Sequence, residues 1–140
     1  MKLEEKGKFL PPPILDQYPE VVSLEIQKWN NIIAATHWQL YDRNQVDGAD
    51  FYVGIHELGH IHLDGSVHLA TDKALKELLL SNKLGKKFPY GENWVQFHIG
   101  TEQDAAKAIL LFQLNYKRIN GVSLKDLSVH LNENLITAAL

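Results

Sequence analysis

The sequence predicts an α+β fold with two layers, in which helices pack on one face of an antiparallel sheet of about four or five strands. Two observations lead to this prediction. Apolar and polar residues alternate with a period of two between residues 51 and 69, as in half-buried strands, whereas four other segments have apolar residues at helical spacing. In chain order the elements are one helix, four strands, one helix, one strand and two helices, or α-β-β-β-β-α-β-α-α.

The chain begins with a polar segment that leads into the first helix. Residues 1–8 are polar and mixed in charge, and we expect them to fray. Pro19 suits the first turn of a helix, where its missing N–H needs no partner, and apolar residues continue to about Trp29. The β-branched and aromatic residues of Ile32–Tyr41 predict the first strand, and Asp47-Gly48 predicts a turn after it.

Three short antiparallel strands are predicted next, over about 50–54, 57–63 and 66–70. The alternation is broken near Gly54 and again at Asp64-Gly65, a dipeptide typical of hairpin turns. These strands contain much of the histidine-rich part of the chain, since four of the seven histidines fall between residues 56 and 68.

A helix and a strand follow the histidine-rich strands. Thr71 or Asp72 can cap the helix by accepting a hydrogen bond from a backbone N–H of its first turn, and we expect the helix to end near Gly85. Residues Trp94–Ile99 alternate again, which predicts a further strand.

Two helices complete the chain. Thr101 followed by Asp104 resembles a capping box in which Asp replaces the usual Glu, and Gly121 ends the helix that they begin. The last helix is predicted over 123–138. Its apolar stripe consists of Leu124, Leu127, Leu131 and Leu135.

The composition excludes several functional classes. A formal net charge of −3 argues against a general nucleic-acid binder. The absence of cysteine rules out disulfides, thiolate metal sites and thiol catalysis. No apolar run approaches the length of a membrane span, and the first ten residues lack the apolar core of a signal peptide. We therefore expect residues 1–140 to form one soluble cytoplasmic domain without nucleic-acid or membrane partners, and no cofactor is implied.

The run His56-Glu57-Leu58-Gly59-His60 matches the HExxH zinc signature letter for letter. In that chemistry both histidines lie one helical turn apart and bind zinc, while the Glu activates the bound water. On a strand, His56 and His60 would instead lie about 13 Å apart. The flanking alternation favours the strand, and a zinc-dependent hydrolase that uses His56, Glu57 and His60 is the alternative hypothesis.

A different metal pattern is compatible with a strand. His60 and His62 are two residues apart, so both imidazoles would project from the same face of the sheet. Neutral imidazole suits zinc, copper, iron or nickel. The spacing also resembles the first half of a cupin metal motif, but no matching Glu and no second motif follow. The residues that could complete a site with His60 and His62 are His68, His98 and Asp64.

The stretch Glu57-x-Gly59-His60-Ile61-His62-x-Asp64-Gly65-x-Val67 resembles the signature of a bacterial and fungal family of small domains labelled luciferase domain, whose function is not established. The resemblance continues in order over about residues 29–118, through His37, Trp94-Val95-x-Phe97 and the run from Leu111 to Tyr116. Four asparagines depart from the family pattern: Asn30-Asn31 replace Pro-Gly, Asn93 replaces Gly and Asn115 replaces Ser.

The resemblance implies a fold more than a reaction. The layout is also similar to that of MmcQ/YjbR-type domains, which are two-layer α+β units with an antiparallel sheet. Both resemblances make residues 57–65 a strand and a turn. The family label does not imply light emission, and the chain has no glycine-rich nucleotide loop and no nucleophile elbow.

Under this resemblance Ile61, Leu63 and Val67 pack under the helices, and the opposite face of the sheet forms a ligand cleft. The loop over residues 86–93 would close this cleft. The sequence assigns no reaction to it, so the leading hypothesis is a small-ligand-binding domain. The candidate ligand-binding residues are His60, His62, Asp64, His98 and Trp94, and the candidate metal ligands are His60, His62 and His68.

The last helix, over 123–138, lies outside the stretch that resembles the family. Its leucines must be buried either on the same domain or on a second copy of the chain. Intramolecular packing is the default. A homodimeric interaction module that acts through this helix is therefore a further hypothesis.

Overall fold

The computed structural model describes residues 2–139, so Met1 and Leu140 of the predicted domain lie outside the described residues. The fold is α+β, as predicted, with one antiparallel sheet that is not closed into a barrel. The elements after a short 3₁₀ turn at Leu3–Glu5 are α1 (Gln17–Gln27), β1 (Ile32–Trp38), β2 (Val46–Val53), β3 (His56–His62), β4 (Ser66–Ala70), α2 (Lys73–Ser81), β5 (Lys86–Lys87), β6 (Trp94–His98), α3 (Glu102–Ile119) and α4 (Leu124–Ala139).

The sheet has the strand order β1-β2-β3-β4-β6-β5, and every neighbouring pair is antiparallel. It contains six strands in the described part of the chain, whereas the sequence predicted four or five. The additional strand is β5, which has only the two residues Lys86 and Lys87 and pairs with the middle of β6. Two exposed lysines show no alternation, so the sequence pattern could not reveal this strand.

The dipeptide Asp47-Gly48 is not a turn, although the sequence predicted one there. Both residues lie within β2, and the chain turns earlier, between Gln39 and Gln45. Gly48 has φ +151°, and a Cβ at this position would lie 1.9 Å from the carbonyl oxygen of Ile61 on β3. The glycine is therefore required by the close approach of two backbones, and not by a turn.

The helices cover one face of the sheet, and α3 is their centre. It contacts β3 and β4 below and α1, α2 and α4 on its sides. The Thr101–Asp104 capping box is present at its start. Phe112 of α3 meets Phe51 of β2 edge to face, with ring centroids 5.9 Å apart. Leu127 and Leu131 of α4 are buried in the hydrophobic core beneath the helices. The apolar side of α4 therefore packs largely within the chain.

The prediction for the inward side of β3 and β4 is correct at two positions and wrong at the third. Ile61 and Val67 are completely buried in the core. Leu63 is 48% exposed, because β3 ends at His62 and Leu63 already belongs to the turn. No helix in the described range is long and apolar enough to cross a membrane.

A β-bulge in β3 decides which side chains face which side of the sheet. Phe51 pairs with Gly59 while Tyr52 pairs with Glu57, which leaves Leu58 as an extra residue. In an unbulged strand Leu58 and His60 would share a face. The extra residue lets Leu58 enter the core while His60 faces away from the helices.

The buried Asn115 of α3 holds the bulge in place. Its Nδ2 donates hydrogen bonds to the carbonyl oxygens of Leu58, at 2.9 Å, and of Ala70, at 2.8 Å. Its Oδ1 accepts a hydrogen bond from Arg118 Nε at 2.8 Å, which fixes the orientation of the amide. One side chain therefore supplies the donor that the bulge requires on the core side of the sheet.

We expect Asn115→Ala to lower the free energy of unfolding by about 1–3 kcal/mol, because the buried carbonyl of Leu58 loses its side-chain donor. Ala70 keeps a hydrogen bond from Arg118 at 3.2 Å, so its carbonyl adds less to the loss. Urea unfolding measures the change. The matched control is Gln103→Ala, which removes an exposed amide of the same helix and for which about 0.5 kcal/mol or less is expected. Equal losses in the two variants would contradict the role of Asn115.

Candidate functional site

Four histidines meet on the face of the sheet opposite the helices. His37 comes from β1, His60 and His62 from β3, and His68 from β4. The strand register brings them together, since His60 lies opposite His68 on β4 and His62 lies opposite Gly48, the partner of His37. These four residues are called the histidine cluster below.

The rings of the histidine cluster are in direct contact. Nδ1 of His68 lies 3.0 Å from Nε2 of His60 and 3.1 Å from Nε2 of His62. The ring of His37 stacks on that of His60, with centroids 4.1 Å apart and planes 12° from parallel. The cluster is therefore a packed unit in which several ring nitrogens point at one another.

Two carboxylates orient the outer histidines. Nδ1 of His37 lies 2.8 Å from Asp50 Oδ1, and Nδ1 of His62 lies 2.8 Å from Asp47 Oδ2. An ionised carboxylate only accepts hydrogen bonds, so each Nδ1 donates. When such a ring is uncharged, its lone pair therefore lies on Nε2.

Burial keeps the inner histidines uncharged. Burial, reinforced by the neighbouring His37, holds the pKa of His60 well below its ordinary value, although Asp50 opposes the shift. Burial and the nearby His62 lower the pKa of His68 to about 4. Near neutral pH both rings are uncharged, and an uncharged imidazole offers a lone pair to a ligand or a metal ion.

Lys6 closes one side of the site. Its ammonium group contacts Glu57 Oε1, lies 3.4 Å from Asp50 Oδ1 and stands 5.1 Å above the ring of Tyr52. Burial alone would lower the pKa of Lys6, but the Asp50 and Glu57 carboxylates outweigh it and raise that pKa. The expected fraying of residues 1–8 is therefore wrong at Lys6, whose side chain is held by two acids.

The site also contains polar atoms that the fold leaves unsatisfied. Asp50 is completely buried, and its Oδ2 has no hydrogen-bond partner among the described residues. The same holds for Nδ1 of His60, which lies 3.7 Å from Asp50 Oδ1 and 3.9 Å from Glu57 Oε1. Buried polar atoms without partners are rare in folded proteins and mark places where function can override stability.

A cavity of about 490 Å³ opens above the histidine cluster. Its floor contains His60, His62 and His68, and ring contacts join this floor to the walls. Phe88 lies 4.3 Å from the ring of His68, and Trp94 lies 5.6 Å from that of His60. The aromatic and apolar side chains of the wall are Trp38, Leu40, Phe88, Tyr90 and Trp94.

The residues predicted from the sequence divide into two groups. His60, His62, His68 and Trp94 line the cavity. Asp64 and His98 lie outside it, where Nε2 of His98 donates to the backbone carbonyl of Asp64 at 3.0 Å. The Asp64 side chain accepts from the backbone N–H of Ser66 at 2.9 Å, so it stabilises the hairpin turn.

The HExxH interpretation of residues 56–60 is wrong. The segment lies in β3, and His56 is an exposed residue at the start of the strand. The helical spacing that lets two histidines share one zinc ion is therefore absent. Glu57 does face the histidine cluster, but its carboxylate is engaged by Lys6.

Sequence reasoning did not single out three contributors to the site. His37 matched the resembled family pattern, and that match was the available signal. Asp50 sits in an apolar strand, and Lys6 sits in a segment without periodicity. Both become visible only when the sheet register and the path of the amino-terminal segment are known.

The comparison with protein families gives one match. Residues 56–115 match the family model described as luciferase domain. The matched segment runs from the start of β3 to Asn115, so it contains three of the four clustered histidines and the residue that holds the bulge. The resemblance to the luciferase-domain family is thereby confirmed, while the MmcQ/YjbR likeness stays a prediction. No curated protein and no solved structure matches the chain.

We expect Lys6→Met to lower the free energy of unfolding by about 2 kcal/mol or more, because the buried carboxylates of Asp50 and Glu57 lose their cation. Chemical unfolding at neutral pH measures the change. Lys8→Met is the matched control, since Lys8 is an exposed residue of the same segment. An effect of Lys6→Met no larger than that of the control would contradict the pairing.

Acid should destabilise the protein through the cluster. The unfolded chain binds a proton at His68 near pH 6.5, while the folded chain binds it only near pH 4, so stability falls as the pH drops through this window. Melting temperatures measured with a chelator present should fall between about pH 7 and pH 5. His68→Gln should reduce this fall, whereas His98→Gln, at an exposed position outside the cluster, should keep the profile of the parent. A His68→Gln profile identical to that of the parent would contradict the argument.

Proposed function

We propose that this chain, whose residues 56–115 match the luciferase-domain family model, binds a small uncharged molecule with an aromatic ring system in the cavity above the histidine cluster. The ring system lies between the aromatic side chains of the wall, and a polar group of the ligand reaches the histidine floor. The observation that carries the proposal is the pairing of an aromatic wall with a polar, partly buried floor in one cavity.

The size and the walls of the cavity support a small organic ligand. A volume of about 490 Å³ lies in the range of small-molecule sites. Phe88 and Tyr90 contact each other edge to face with centroids 5.7 Å apart, and Phe88 and Trp94 are 6.4 Å apart. Tyr90 is 88% exposed, so a planar ligand that stacks on this group would bury apolar surface that now faces water.

The charges around the cavity favour an uncharged ligand. Two carboxylates, Asp47 and Glu57, and two cations, Lys6 and Arg43, line it. Lys6 is already paired with Glu57, and Asp47 already accepts from His62. A ligand with a full charge would have to compete with these contacts, whereas a neutral ring with one polar group would not.

The arrangement of α4 bears on the homodimer hypothesis. Leu127 and Leu131 are buried within the chain, and Leu124 is 47% exposed. The apolar stripe that suggested a partner copy is thus largely used in packing α4 on α2 and α3. Ligand binding in the cavity is therefore the function that the geometry supports best.

The test uses N-phenyl-1-naphthylamine, a neutral aromatic amine that fluoresces in apolar surroundings. We expect saturable binding to the chelator-treated protein with one site per chain. The Phe88→Ala/Tyr90→Ala variant should bind at least about fivefold more weakly, because each aromatic contact contributes about 0.5–1.5 kcal/mol.

The control for this test is Tyr41→Ala. Tyr41 is 96% exposed and does not line the cavity, so its removal should leave binding unchanged. Absence of saturable binding, or equal affinities for the parent and the Phe88→Ala/Tyr90→Ala variant, would overturn the proposed function.

A further inference from the structure

We propose that the histidine cluster, consisting of His37, His60, His62 and His68, binds one divalent transition-metal ion of the zinc class on the floor of the cavity. This site does not depend on the organic ligand proposed above, because the ion would be held by side chains of this chain alone. Three observations support it: the proton count of the cluster, the spacing of its nitrogens and the carboxylates behind it.

The neutral cluster cannot satisfy its own hydrogen bonds. An uncharged His62 that donates from Nδ1 to Asp47 presents the lone pair of its Nε2 to Nδ1 of His68. If His68 Nδ1 carries a proton, it can point at His62 or at His60, but not fully at both. The remaining hydrogen bonds depend on which ring nitrogen of His60 carries the proton.

Both arrangements of His60 leave a defect. A proton on Nε2 of His60 forces His68 Nδ1 to be a lone pair, which then faces the lone pair of His62 at 3.1 Å. A proton on Nδ1 of His60 leaves a buried N–H without a hydrogen-bond partner among the described residues. A metal cation that accepts several lone pairs removes the conflict between the ring nitrogens.

The spacing of the ring nitrogens fits metal coordination. Zinc binds imidazole nitrogen at about 2.0–2.1 Å, which places two ligands of a tetrahedral site about 3.3 Å apart. Nδ1 of His68 lies 3.0 and 3.1 Å from Nε2 of His60 and His62. One nitrogen from each of His37, His60 and His62 lies within 4.8 Å of the others. The His68 distances are already close to the zinc-ligand separation, and movement of the side chains would bring the other ring nitrogens to the same ion.

Two carboxylates, Asp50 and Asp47, contact the cluster in the way that is common for metal-binding histidines. A ligating histidine commonly donates its other ring N–H to a carboxylate, which fixes the tautomer and strengthens the ligand. His37 donates to Asp50 at 2.8 Å, and His62 donates to Asp47 at 2.8 Å. In both rings the nitrogen that does not donate to the carboxylate is Nε2.

A second group of potential ligands is already occupied by a cation of the protein. Asp50, Glu57 and His60 also offer three atoms within 4.8 Å of one another. The Lys6 ammonium lies at Glu57 and 3.4 Å from Asp50, where an ion would have to sit. The structure therefore favours the all-histidine group, which faces the cavity and contains no cationic side chain.

The test uses chelator-treated protein without a polyhistidine tag. Calorimetric titration with Zn²⁺ should show one ion per chain, and Co²⁺ should give the visible absorption of a nitrogen-bound ion. His37→Asn and His62→Asn should weaken Zn²⁺ binding strongly. Asp47→Asn keeps all four histidines and should weaken it about 10- to 100-fold. Zn²⁺ should also raise the melting temperature of the parent protein.

The control variants separate the cluster from other sites on the protein. His56→Asn and His98→Asn remove exposed histidines outside the cluster. Both variants should bind Zn²⁺ as the parent does. Absence of stoichiometric binding by the parent, or equal losses in His98→Asn and His62→Asn, would overturn the proposal. Aromatic-amine binding is measured without metal, so its failure would leave this result standing.

Discussion

The bulge at Leu58 is the constraint on which the rest of the site depends. It shifts the alternation of β3 by one residue, so that Leu58 and Ile61 are both completely buried in the core while His60 and His62 face the cavity. Asn115 holds the bulge from the core side through the carbonyl of Leu58. A buried amide on a helix thus determines which histidines are available on the opposite face of the sheet.

Asp50 connects the bulge to the charge balance of the site. It lies opposite His60 in the register of β2 and β3, is completely buried and accepts from His37. A buried carboxylate needs a nearby cation or several donors. Lys6 reaches Asp50 from the amino-terminal segment. A residue outside the sheet therefore supplies the cation that this buried carboxylate needs.

The sequence predicted the parts of the fold that depend on local patterns. The capping box at Thr101 and the helix cap at Asp72 are present as predicted, because their signals lie within four residues of the helix start. The two-residue strand β5 and the role of Gly48 escaped prediction, because both depend on a neighbouring strand. Asn31 replaces the glycine of the resembled family pattern and has φ +66°. Asparagine tolerates this left-handed conformation better than most other residues, so the backbone shape can be kept although the residue differs.

The candidate site was predictable only in part, and the bulge explains why. In a regular strand, residues three apart point to opposite faces, so Glu57 and His60 would be separated by the sheet. The bulge brings them to the same face, with His60 Nδ1 3.9 Å from Glu57 Oε1. Two members of the HExxH pattern therefore do meet, although the backbone is extended and His56 stays outside. The strand register and one inserted residue determine which side chains meet in this site. Neither can be predicted from the spacing of the residues in the sequence.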